Sequence, residues 1–262
     1  MSVLLKPRWL LLHAIVLVVA VAFTNFGFWQ LRRLERRTGS NELIEARLES
    51  APAPFEQISA AFDLTAPAPL EASAIYRRAV VRGRFDPEHE VLLRARSYRG
   101  EPGWHVLTPL VMESGSAILI DRGWVPYRLD TPPITEATPP DEMVTVTGMI
   151  LAEQDPPTGS LARLAPRDPP EGELKAAYYA DADRLAAQMP YPLEPVYLEL
   201  IAQEPAQAGD LPVAPPPPEF TRGPHLGYAM QWFSFTLIAV VGYGILIRRA
   251  LLERDEKEAA RA

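Results

Sequence analysis

Two uninterrupted apolar runs limit what this chain can fold into. "WLLLHAIVLVVAVAFTNFGFW", Trp9 to Trp29, holds no charged side chain. As a helix rising about 1.5 Å per residue it reaches roughly 31 Å, enough to cross the hydrocarbon core of a bilayer. A second run of about 20 residues, Tyr228 to Ile247, is also long enough. Trp9 and Trp29 bracket the first, and Tyr228 with Trp232 mark one end of the second, as interfacial aromatic belts do. The first run has features of a signal peptide, with Lys6 and Arg8 as a basic region and Ala20-Val21-Ala22 as a cleavage site. It continues well past Ala22, further than such a segment needs, so a retained helix is expected. The short stretch ahead of it leaves no room for an Arg-rich transit peptide, which points to a bacterial plasma (inner) membrane.

Charge flanks give orientation. Arg248 and Arg249 follow the second run, which places the C-terminus in the cytoplasm. Arg32, Arg33, Arg36 and Arg37 after the first run argue the other way against Lys6 and Arg8. Two spans require both termini on one side. Because a long central segment translocates largely regardless of charge, the second run decides. The expected organisation is a cytoplasmic N-terminus (1–8), transmembrane helix 9–29, an extracytoplasmic β-rich domain (30–211), a Pro-rich linker (212–224), transmembrane helix 225–248 and a cytoplasmic tail (249–262).

The fold class that follows is a membrane protein in which a hairpin of two transmembrane α-helices flanks an α+β domain. Helical spacing carries the first helix on through "LRRLERRTGSNELIEARLES", and "APAPFEQISAAFDLTAPAPL" holds a short helix between prolines. Strand signals then cover Ile75–Phe85, Glu90–Tyr98, Gly103–Met112, Ser116–Val125, Glu142–Leu151 and Pro195–Gln203. "ESGS" joins the third and fourth as a hairpin turn. A helix is expected over "GELKAAYYADADRLAAQM". Short strands at close spacing predict a domain dominated by an antiparallel β-sheet or small barrel.

Composition excludes several chemistries. There is no Cys, hence no disulfide, thiolate metal site or thiol catalysis, and the net charge of -7 argues against nucleic acid as a partner. No nucleophile elbow, phosphate loop or HExxH motif is present. His89 and His105 stand on separate elements without a metal-ligand partner. In Asp121-Arg122-Gly123-Trp124 the expected arrangement is an Asp–Arg pair at a strand end, with Gly permitting a bend. "GYG" at Gly242–Gly244 reads as small-residue helix packing rather than an ion filter.

The remaining candidates lie at the membrane edge. A chain that leaves through one helix and returns through the other places Trp29, Gln30, Arg32 and Arg33 at the depth of His225, Tyr228, Gln231 and Trp232. His225, Tyr228 and Trp232 follow i, i+3, i+7 spacing and share a face, with Gln231 at its margin. Two readings are open. These polar groups meet lipid headgroups and each other, or they hold a flat anionic ligand such as haem. In the second, imidazole would ligate iron, Trp29 and Trp232 would wall the ring, and Arg32, Arg33 or Arg222 would meet its carboxylates. His13, about 24 Å along the first helix, is too far to be a second ligand.

"FGFWQLRRLERR" resembles the W-Q-x-x-R signature of the Surfeit-locus (Shy-type) cytochrome oxidase assembly family. "VRGRF", "GWHVLTPL" and "ILIDRGWVP" are similar to that family's soluble-domain blocks, and "HLGYAMQW" to its H-x-x-Y-A-x-Q-W block. Arg36-Arg37 stand where the family usually has a Lys. The resemblance covers nearly the whole chain. It implies a non-enzymatic assembly factor for haem–copper cytochrome c oxidase that holds haem A for the catalytic subunit, with His225 as iron ligand. Trp29, Gln30, Arg33, Tyr228, Gln231 and Trp232 would complete the site. The implied partners are cytochrome c oxidase subunit I, haem A synthase and the lipid bilayer. The alternative is a scaffold for oxidase subunits that holds no cofactor.

Overall fold

Pro7, with its φ already set for a helix and no N–H to satisfy, begins α1 (Pro7–Glu49). The computed structural model describes residues 3–66, 68–154 and 156–259. The outermost residues of the expected tails, 1–2 and 260–262, lie outside the described residues. After α1 come β1 (Ala53–Pro54), α2 (Phe55–Ala61), β2 (Arg78–Phe85), β3 (Val91–Tyr98), β4 (Glu101–Met112) and β5 (Ala117–Pro126). They are followed by β6 (Val144–Ala152), β7 (Ala176–Ala177), α3 (Ala182–Ala186), β8 (Leu193–Glu204) and α4 (His225–Ala259). Contacts divide the chain into two compact units, Met1–Glu42 with Glu219–Ala262, and Leu43–Pro218.

The first unit is an antiparallel helix pair. Both helices contain a stretch long and apolar enough to cross a membrane, with almost none of it buried within the protein. Thr24 meets Thr236 at 3.4 Å. Phe23 and Phe26 pack on Trp232, with ring centroids 5.3 and 5.0 Å apart. Phe28 packs edge-on against Phe233. Gly27 faces the same ring so closely that a Cβ there would lie 2.5 Å from it. At the far end Tyr243 hydrogen-bonds His13, whose other ring nitrogen lies 3.2 Å from the Leu4 carbonyl. Gly242 and Gly244 face open space, so neither packs on α1. The residue between them, Tyr243, makes the contact.

In the second unit all six expected strands form, and five of them close. β2 pairs with β6 along Arg78–Gly83 and, from Gly83 to Phe85, with β4. Gly83 sits where the strand changes partner, and a Cβ there would meet the Val111 carbonyl oxygen at 2.5 Å. The ring then runs β2–β6–β8–β5–β4 and back to β2. This is the small barrel expected from strand spacing, but its sheet is mixed. β5 and β8 are parallel, as are the short pairings β1–β2 and β3–β7. The connection from β5 to β8 covers 127–192 with β6 within it, far more than the dozen or so residues a parallel crossover needs. Phe55 and Ile58 of α2 join Val81, Leu110, Ile118, Ile120, Val146 and Leu198 in the principal core. Each such side chain contributes about 1.5–3 kcal/mol by leaving water.

The helix expected over 172–189 shrinks to Ala182–Ala186. Ala176 and Ala177 instead pair with Leu92 and Leu93 at the sheet edge. The Tyr178 N–H donates to the Asp168 carboxylate, and Asp181 caps the short helix through the Arg184 N–H at 2.7 Å. Tertiary pairing overrides local helix propensity here.

Asp121 and Arg122 do not pair with each other, because neighbouring residues of a strand point to opposite faces. Asp121 accepts from His105 Nδ1 at 2.8 Å and from the Gly123 N–H at 3.0 Å. Arg122, 1% exposed, donates to Glu90 and Thr108 at 3.4 Å, to the Ala137 carbonyl at 2.6 Å and to Gln207 at 2.7 Å. Its guanidinium also lies over the Phe85 ring at 5.3 Å.

Candidate functional site

His225 is the first residue of α4 and Gln30 lies on α1 of the same helix pair. His225 Nδ1 and Gln30 Oε1 are 2.9 Å apart. An amide oxygen only accepts, so Nδ1 carries the proton, which in the neutral ring leaves the imidazole lone pair on Nε2. No hydrogen bond is made by Nε2 among the described residues. Metal-ligating histidines are oriented in this way, with the non-ligating nitrogen donating to a fixed carbonyl or carboxylate.

Beside His225 is a cavity of 520 Å³ lined by Arg33, Arg36, Arg37, Ser40 and Asn41. These five stand at i, i+3, i+4, i+7 and i+8 on α1 and so share one face. Arg37 Nε and Asn41 Nδ2 both donate to the Thr221 carbonyl, at 2.8 and 3.1 Å. That ties the approach to α4 against α1. The N-terminus of α4, a helix of 35 residues, adds partial positive charge at the same end. The cavity therefore combines an unpartnered nitrogen base with an anion-attracting wall.

Of the other expected site residues, only Arg33 reaches this cavity. Arg33 lines the cavity, with its Cζ 5.1 Å from the centre of the Trp29 ring. Trp29 itself is 44% exposed. Trp232 is not in the cavity lining; it packs between Phe23, Phe26 and Phe235 in the helix–helix seam. Tyr228 and Gln231 are exposed, and neither side chain makes a hydrogen bond among the described residues. The residue that turns toward α1 at this level is Ala229, 1% exposed. Arg32 and Arg222 are exposed and outside the lining. Arg36, Arg37, Ser40 and Asn41 were not singled out from sequence as ligand contacts. Their helical spacing from Arg33 is the signal that would have found them.

The model of the SURF1 family matches residues 17–237. A SURF1-like protein of Mycobacterium tuberculosis is 30% identical over 264 residues, covering 99% of this chain and 90% of its own. A SURF1-like protein of Caenorhabditis elegans is 25% identical, covering 89% and 73%. The cytochrome oxidase assembly protein SHY1 of Saccharomyces cerevisiae is 30% identical over 112 residues, covering 42% of this chain and 27% of that protein.

Proposed function

The chain belongs to the SURF1 family, and we propose that it is a membrane-anchored, non-enzymatic factor for cytochrome c oxidase assembly that holds haem A for the catalytic subunit. Two spanning helices anchor it in a bacterial inner membrane, with both termini cytoplasmic and the β-rich unit extracytoplasmic. Cytochrome c oxidase subunit I is the recipient, and haem A synthase the source. The likeness to a protein named for oxidase assembly supports the general role.

The observation that carries the haem reading is the His225–Gln30 hydrogen bond at 2.9 Å. It leaves an imidazole lone pair beside a cavity walled by three arginines. The donor set fits the group: a neutral imidazole for iron, and guanidinium forks with a helix N-terminus for carboxylates. His225 would hold the iron, Arg33, Arg36 and Arg37 the carboxylates, and Trp29 would shield one side. His13 is roughly 25 Å away along α1 and is engaged with Tyr243. When bound, haem A is cargo, and the chain's own work is to hold it in one orientation at the membrane edge.

The test is the visible spectrum of the purified protein co-expressed with the haem A pathway. Wild type should show a Soret band that His225→Ala removes. A colourless wild type, or an unchanged band in His225→Ala, overturns the reading. Gln30→Leu should leave the band in place but weaken haem affinity about 10–100-fold, as loss of a ligand's orienting partner does. Tyr228 and Gln231, exposed at the same end, favour an additional reading as contacts for an oxidase subunit. If His225→Ala abolishes co-purification of that subunit while haem content is unchanged, the scaffold role replaces the haem role.

A further inference from the structure

The β-rich unit has a second cavity, independent of the helix pair. On the outer face of the barrel, Arg96 of β3, His105 of β4, Asp121 of β5 and Glu199 of β8 line a hollow of 470 Å³. Asp121 and Glu199 are register partners on adjacent parallel strands. Like charges side by side on neighbouring strands are destabilising, so the fold carries a cost here. Burial pushes the Glu199 carboxyl up to about 7, Asp121 adds to the rise, and His105 and Arg96 oppose it.

The hydrogen bonds show what the cavity lacks. His105 Nδ1 donates to Asp121, which in the neutral ring leaves a lone pair on Nε2. Arg96 donates to Gln154 at 3.1 Å, and Gln154 donates to the Tyr197 hydroxyl at 2.9 Å. The Glu199 carboxylate makes no hydrogen bond among the described residues. The Glu199 carboxylate and His105 Nε2 are thus acceptors without a donor among the described residues, on a lining whose one guanidinium, Arg96, turns a donor to Gln154. Pro215, Pro216 and Pro218 line the adjoining hollow of 510 Å³. Proline has no N–H, so this strap adds only carbonyl acceptors and an apolar wall. Tyr76 and Ala95, also in that lining, hold φ values of 62° and 58°. Such left-handed conformations in non-glycine residues are strained and cluster at ligand sites. Finally, two carboxylates face one guanidinium, so a single added positive charge balances the set.

We propose that this cleft binds a primary ammonium or guanidinium group carried on an aliphatic stem, with Glu199 and Asp121 as its counter-charges and the proline strap packed along the stem. The group comes from a lysine or arginine side chain of a partner polypeptide or from a free alkylamine.

The test uses the full chain in nanodiscs, labelled with ¹³C-methyl methionine, because Met149 lines the hollow. Butylammonium, Nα-acetyl-lysine methylamide and butyrate are titrated separately at pH 8 and pH 6. Both amines should move the Met149 resonance saturably at pH 8 and bind roughly tenfold more weakly at pH 6, as Glu199 takes up a proton. Butyrate should not bind. Glu199→Gln should remove the response at both pH values without lowering the melting temperature. Absence of saturable amine binding at pH 8, equal binding of butyrate, or an unaltered response in Glu199→Gln overturns the proposal. The pH comparison in wild type keeps it falsifiable should the variant misfold. Equal affinity for the two amines identifies a free alkylamine, and tighter binding of the lysine derivative a polypeptide side chain.

Discussion

Arg122→Met is expected to destabilise the β-rich unit by about 3–5 kcal/mol, the usual cost of removing one partner from a buried ion pair. Domain stabilities are typically about 5–15 kcal/mol, so this single change removes a large part of the margin. Arg122 is the hub of the arrangement. It neutralises Glu90, itself 4% exposed, and its two terminal nitrogens reach Thr108, the Ala137 carbonyl and Gln207. Glu90 in turn accepts from the Thr108 hydroxyl and from the Ile134 N–H, both at 2.9 Å. Methionine can fill the volume over Phe85 but leaves the carboxylate without its counter-charge.

The pH dependence of that loss has a definite sign. Burial holds the Glu90 carboxyl above the usual carboxylate range, while the Ile134 N–H, Arg122 and Thr108 pull it down. Without Arg122 it rises further. A carboxyl whose folded value exceeds its unfolded value gains protons on folding, so stability is lost as pH rises from the unfolded value through the folded one. The deficit of Arg122→Met should therefore be smaller at pH 5 than at pH 8 in thermal melts. Glu90→Gln combined with Arg122→Met should recover part of the loss. A variant that melts with wild type at pH 8 would show that the pair carries no such weight.

The second large effect is expected at Gly123. Its φ is +117°, and a Cβ there would lie 2.0 Å from the Val213 carbonyl oxygen and 3.0 Å from Ala214 Cα. Both are backbone atoms and cannot rotate away. The same approach carries two main-chain hydrogen bonds of 2.8 Å, exchanged between Trp124 and Val213, which stitch the proline strap to β5. Gly123→Ala should cost roughly 1–3 kcal/mol in backbone strain and about 1 kcal/mol for each bond broken. The amides of Trp124 and Val213 should lose hydrogen-exchange protection together, while those of β2 and β6 keep theirs. Retained protection at Val213 would mean that the strap tolerates the methyl group. Amine binding in the cleft should weaken in the same variant, since Pro215, Pro216 and Pro218 follow directly from Val213.

The sequence motifs gain physical meaning from these contacts. The glycine of "VRGRF" lets β2 change partners, and the glycine of "DRGWVP" lets the strap approach β5. In the latter motif the aspartate and arginine serve opposite faces, one orienting His105 in a surface cleft and the other neutralising a carboxylate in the interior.

What the amino-acid sequence determined by itself was whatever depends on near neighbours along the chain. Apolar length marked the two spans and β-branched runs marked six strands, while the helical spacing that joins Arg33 to Arg36, Arg37 and Asn41 was there to be read but was recognised only once the cavity was seen. The i, i+3, i+7 pattern of His225, Tyr228 and Trp232 could not say which side of α4 meets α1, and the structure turns Ala229, Trp232 and Thr236 inward while Tyr228 faces out. Closure of the barrel, the parallel β5–β8 pair, the Glu90–Arg122 bond and the meeting of Gln30 with His225 were decided only by tertiary structure. Each joins residues far apart in the chain, the last pair 195 positions apart. Which distant partners meet depends on how all the elements pack at once, and no local spacing encodes that.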